Sequence, residues 1–174
     1  MQKFFITILV FMFYNFTALA QNQSNYDTSA DAETGSRVFK GKISFTDLSS
    51  EATFTWLKEG ENDYHPDARA LTYLQEYLKD YDMVVFMGTW CSDSHELIPK
   101  LKKLLETIHY PVNKMTMYGV DRAKTTKSGD EKLYSITLVP TIILLKDGKE
   151  YGRITETVTK SLEEDLEAII EKMK

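Results

Sequence analysis

The chain of 174 residues contains one cysteine, Cys91, and the residue types around it suit thiol chemistry. An apolar run, Met83-Val84-Val85-Phe86-Met87, precedes it, and its Val and Phe content marks a buried strand. Gly88 and Thr89 interrupt that run, and Trp90-Cys91-Ser92-Asp93-Ser94-His95 follows. From Leu97 onward the apolar positions Leu97, Ile98, Leu101, Leu104, Leu105 and Ile108 recur three and four apart. That spacing predicts an amphipathic helix from about Ser92 to His109. Cys91 is therefore expected where a strand hands over to a helix start. Unpaired N–H groups and the positive end of the helix dipole favour a thiolate there. Asp93 opposes a negative sulfur, while a protonated His95 would support one.

The beginning of the chain bears on how that thiol is read. Residues 1–20 have the pattern of a signal peptide: Lys3, an apolar stretch from Phe4 to Phe16, and an Ala18-Leu19-Ala20 cleavage site. The stretch is short for spanning a bilayer, so the mature chain is expected to be exported, periplasmic or secreted, with no stable membrane insertion after cleavage. Disulfides form in such compartments, yet Cys91 has no second thiol in its own chain. Three readings stay open: a reactive thiol, an intermolecular bond such as a Cys91-linked dimer, or an inert core cysteine. The net charge of −5 gives no electrostatic reason to bind nucleic acid. His65 and His109 lack partners at ligand spacing, so no metal site is expected. No phosphate-binding glycine loop or Ser-His-Asp pattern is present.

The elements that must position Cys91 follow from the rest of the chain. Residues 21–36 are polar and read as a disordered leader ahead of a domain over 37–174. Val38 to Phe45 and Ala52 to Leu57 suit two extra strands within residues 37–58, the second on the aromatic alternation of Phe54-Thr55-Trp56; a hairpin extension and an irregular wrap both stay open there. Glu59 to Tyr64 reads as a loop. Pro66 fits a first helical position, and Ala70, Leu71, Leu74, Tyr77 and Leu78 form one stripe ending near Asp80. Pro111 to Val120 reads as a strand, Asp121 to Gly129 as a polar, basic-leaning loop, and Asp130 to Tyr134 as a short helix. Ile142 to Leu145 is a buried strand, Asp147-Gly148 a hairpin turn, and Tyr151 to Thr155 the returning strand. A capping box, Ser161 to Glu164, opens the last helix. The alternation predicts an α/β fold with a mixed sheet and helices on both faces.

These residues resemble the thioredoxin family. Trp90-Cys91-Ser92-Asp93-Ser94 is similar to the family's W-C-x-x-C, with Ser94 replacing the second cysteine. Pro99 falls where the family has a helix-kinking proline. Val139-Pro140-Thr141 resembles its cis-proline loop, and Gly152 matches a glycine after its last strand. The resemblance spans about Trp56 to Lys174. It implies a thioredoxin-like three-layer fold, a mixed central sheet flanked by helices, here with an N-terminal extension. It also implies thiol–disulfide exchange: Cys91 would attack a disulfide, with Trp90 covering the site. Pro140 would lie against the sulfur, and Val139, Pro140 and Thr141 would hold an extended substrate by strand addition. Two departures narrow this. Ser94 cannot resolve a mixed disulfide, and Val85 stands where the family usually has a proton-moving Asp. The resulting expectation is a monothiol exchange protein of isomerase-like or deglutathionylating type. Its partners would be cysteine-containing proteins or peptides, with no cofactor beyond glutathione or a similar thiol as co-substrate. The alternative is a non-catalytic peptide-binding module on the same fold. Ser94 could hydrogen-bond the thiolate or cap the helix.

Overall fold

The computed structural model describes residues 25–172, and the expected signal peptide lies outside the described residues. Among the described residues the strands are β1 (Tyr26–Ala30), β2 (Arg37–Ile43), β3 (Asp82–Met87), β4 (Met115–Gly119), β5 (Thr141–Lys146) and β6 (Lys149–Thr155). They form one sheet in the order β1-β2-β4-β3-β5-β6. Only β3 and β4 pair in parallel, as expected of strands joined by a long helix. The helix joining them is α4 (Ser92–Thr107), and the remaining pairings are antiparallel.

The strand β3 alternates in burial partner as its period of two requires. Met83, Val85 and Met87 join a large cluster with Leu74, Leu101, Leu104, Leu166 and Ile170. These come from α3 (Ala68–Tyr77), α4 and α6 (Leu162–Glu171). Val84 and Phe86 face the other way, toward Val120, Ile136, Val139 and Ile143. The flanking is thus unequal: three long helices cover one face, and the other lies under the segment carrying the single-turn α5 (Asp130–Leu133). Val85 is wholly buried, with Met117 and Ile142 as its strand partners, so an apolar residue suits that position.

Local chemistry explains the element ends. Asp67 caps α3 by accepting from the Ala70 N–H at 2.9 Å, which places Pro66 just outside the helix. Ser161 caps α6 from the Glu164 N–H at 3.3 Å. In the β5–β6 hairpin Asp147 and Gly148 both have positive φ, 52° and 73°, the geometry this dipeptide favours.

Two readings of the N-terminal region are corrected. Residues 26–30, expected as part of a disordered leader, form β1, paired residue for residue with β2 from Tyr26–Gly41 to Ala30–Arg37. The strand is polar because four of its five residues face solvent, and what orders it lies far away in sequence. Tyr26 packs on Phe39 at 4.6 Å between ring centres, and Asp31 at the strand's end pairs with Arg122. The strand expected over Ala52–Leu57 is instead a turn leading into α2 (Thr55–Asp63), which also takes up the loop expected from Glu59. Three alternating residues do not distinguish a strand from a helix entry. Phe54 buries itself against Phe39 just before the helix begins, and Leu57 continues the apolar face along α2. A short α1 (Phe45–Ser50) with a full capping box at Ser44 and Asp47 precedes it.

Candidate functional site

Cys91 is the N-cap residue of α4, with extended backbone (φ −99°, ψ 125°), and its side chain caps no helical N–H. It is half-buried, and its thiol meets the Val139 carbonyl at 3.4 Å. The Val139–Pro140 peptide bond is cis, as the family resemblance implies. The thiol therefore lies between a helix N-terminus and the loop entering β5.

The neighbouring groups are engaged in holding this turn. Ser94 is fully buried, and its hydroxyl accepts the Gly88 N–H at 3.1 Å. It neither caps the helix nor bonds the sulfur; it ties the end of β3 to the first turn of α4. Thr89, also buried, donates to the Arg37 carbonyl at 2.8 Å and accepts from the Phe39 N–H at 3.1 Å. One threonine thus docks the Cys91 turn onto β2. His95 donates from Nε2 to the Thr89 carbonyl at 2.8 Å and stacks on Trp56 with ring centres 4.4 Å apart. A carbonyl can only accept, so this contact fixes the proton on Nε2.

Trp90 is held from two sides. Its indole N–H donates to the Val120 carbonyl at 2.8 Å. A Cβ on Gly88 would lie 2.7 Å from indole Cε2, so glycine is required under the ring. Over the ring lie two cations, the Arg122 guanidinium at 4.9 Å and the Lys124 ammonium at 5.5 Å from its centre. Arg122 is bound in turn by Asp31, through Nε at 2.7 Å and Nη2 at 2.9 Å, and by Glu33 at 2.8 Å. Asp31 also accepts from the Thr34 N–H and hydroxyl. Chiefly through the Arg122 hydrogen bonds, these contacts hold its carboxyl well below the usual carboxylate range. The Asp31 hydrogen bond likewise raises Arg122.

Of the residues expected to bind substrate, Pro140 is buried and its carbonyl accepts the Glu156 N–H at 2.7 Å. Thr141 is buried and donates to the Leu138 carbonyl at 2.8 Å. Cys91, Trp90 and Val139 come together, while Ser94 and Thr141 serve the turns behind them. Sequence reasoning missed Asp31, Arg122 and Lys124; the basic-leaning loop from Asp121 was the available signal, without any hint that it folds over Trp90. No cluster of three or more His, Cys, Asp or Glu able to hold a metal occurs among the described residues.

The fold and this cysteine-bearing turn place the chain in a class that comparison confirms. Residues 70–172 match the thioredoxin family, and the chain belongs to that family. Among solved structures, it is similar to a protein of unknown function from Pseudomonas aeruginosa, at 16% identity and a TM-score of 0.55, covering 76% of this chain and 94% of that one. An HIV epitope-scaffold is similar at 15% identity and a TM-score of 0.52, covering 75% and 93%. Oxidised thioredoxin O2 from Arabidopsis thaliana matches at 20% identity and a TM-score of 0.38, covering 60% and 84%. For the first two, at such identities, the likeness concerns the fold alone. No match was found among curated proteins.

Proposed function

We propose that this single-cysteine thioredoxin-family protein performs thiol–disulfide exchange through Cys91. The thiolate attacks a disulfide, a mixed disulfide forms, and the displaced sulfur leaves as a thiolate. The observation that carries the reading is the position of the Cys91 sulfur, half-exposed at the start of α4 and 3.4 Å from the Val139 carbonyl of the cis-proline loop. The Val139 N–H takes no partner among the described residues, which supports an extended substrate strand pairing there.

With serine at position 94 and no other cysteine in the chain, release of the mixed disulfide needs an outside thiol. That thiol is either glutathione or a similar small molecule, or the substrate's own second cysteine. Such a cycle suits isomerisation or deglutathionylation better than net oxidation. The signal-peptide pattern of residues 1–20 supports action outside the cytoplasm, in the periplasm or beyond.

The test uses the purified protein, a glutathionylated peptide and free glutathione, with release of the peptide thiol followed in time. Peptide release should be faster than with an equal concentration of free cysteine, and Cys91→Ser should abolish the difference. A wild-type rate no higher than that of free cysteine removes the enzymatic reading.

A further inference from the structure

The Trp90 ring carries two cations whose situations differ. Arg122 is committed: Asp31 and Glu33 together use its Nε, Nη1 and Nη2, and their two negative charges outweigh its one. Lys124 has no carboxylate partner among the described residues, and its ammonium rests on the indole face alone. A lysine with only a ring beneath it keeps its N–H donors for something else.

The turn that carries it is held by hydrogen bonds. Lys124 has left-handed backbone, φ 60°, and its N–H donates to the Asp121 carbonyl at 2.9 Å. Asp121 is itself held by Lys40 Nζ at 2.6 Å and by the Thr125 N–H and hydroxyl at 2.9 Å and 2.6 Å. The turn is therefore pinned to β2. Its ring support, Trp90, is the residue next to Cys91 and is fixed through Val120 and Gly88. The loop is brought beside the cysteine by contact, since both its cations lie over the ring of the residue that precedes Cys91.

We propose that Lys124 on the Trp90 ring is a recognition plate for a carboxylate carried near the reacting sulfur of the disulfide partner. The inference rests on the exchange reading above and names its substrate class: disulfides with an acidic group beside the bridge. Either a small thiol such as glutathione or an acidic peptide has this chemistry. The step is balanced without a further reactant. The Cys91 thiolate attacks the sulfur bearing the carboxylate-containing group, the Cys91–S–S bond forms, the original bridge breaks, and the other half leaves as a thiolate that takes a proton from water. Asp93 on the first turn of α4 and the chain's net charge of −5 work against any anion. Preference is accordingly read as the change on altering Lys124.

The experiment measures mixed-disulfide formation at Cys91 by mass spectrometry with three probes: oxidised glutathione, a cystine peptide flanked by glutamates, and neutral hydroxyethyl disulfide. Lys124→Gln should slow the two acidic probes about threefold, the scale of one solvent-facing charge contact. Lys124→Glu should slow them further, both differences should fade in high salt, and the neutral probe should react unchanged. An effect on one acidic probe alone assigns the source as small thiol or peptide. Equal slowing of all three probes, or of none, overturns the inference. If the wild-type protein reacts with no disulfide, the exchange reading fails separately. Alkylation by iodoacetate relative to iodoacetamide then still decides the plate, because an unchanged ratio in Lys124→Gln rejects it.

Discussion

At Ser94 the hydroxyl accepts the Gly88 N–H and is shut away from solvent. Ser94→Ala leaves that buried amide without a partner, and urea unfolding should show a loss of about 1–3 kcal/mol. The rate of Cys91 with a neutral disulfide should stay within about twofold of wild type, since a stabiliser of the turn is not a participant in the displacement. A loss of rate with unchanged stability would instead mean that Ser94 acts on the sulfur. The serine itself was legible in the sequence, as the replacement for a second cysteine. Its partner was not, because the Gly88 amide and the Ser94 hydroxyl meet only once β3 has bent into α4.

The elements before residue 70 form a collar around the family segment. The hairpin β1–β2 reaches the Cys91 turn through Thr89, and Asp31 at its tip reaches Arg122. Behind them α2 lies directly on α4. A Cβ on Gly60 would stand 2.8 Å from both Cβ and Cγ of Pro99, and the proline ring cannot bend aside. Gly60→Ala should therefore force the two helices apart and destabilise the protein by about 1–3 kcal/mol, measured by denaturant unfolding. An alanine tolerated at no cost would mean that this packing is loose. Pattern reading misplaced this part of the chain for a definable reason. The order of β1 and α2 comes from contacts with Phe39, Arg122 and Pro99 rather than from local periodicity.

At several places in the molecule, hydrogen-bonded carboxylates are held in their charged form. Burial pushes Glu163 up, but hydrogen bonds from the Tyr64 hydroxyl and the Asp67 N–H outweigh it and hold the group below its ordinary value. Burial likewise opposes charge at Glu131 and at Asp121, where hydrogen bonds from Thr126 and from Lys40 and Thr125 prevail. Asp31 is lowered too. For each, the folded state binds its proton less readily than the unfolded chain. Their stabilisation is complete above the ordinary carboxylate range near pH ~4 and is lost as the pH falls through the lower folded values. Unfolding free energy measured against pH should fall steadily below about pH 4, and Glu163→Gln should flatten that limb. An unchanged slope in the variant would show that Glu163 does not contribute.

Residue pattern alone predicts the alternation of strands and helices from Ala68 onward, the hairpin at Asp147-Gly148 and the placement of Cys91 at a helix start. Each is a local matter of period, turn chemistry and capping, acting over a few residues. The sequence also shows that Cys91 has no second thiol in the same chain. Long-range packing makes a polar segment the edge strand β1 and turns Ser94 toward Gly88. It alone decided that Arg122 and Lys124 lie over Trp90. These depend on groups 6 to 91 positions apart meeting through folded backbone, as in Ser94 with Gly88 and Arg122 with Asp31. Cys91 could be located from the sequence; the charges around it could not.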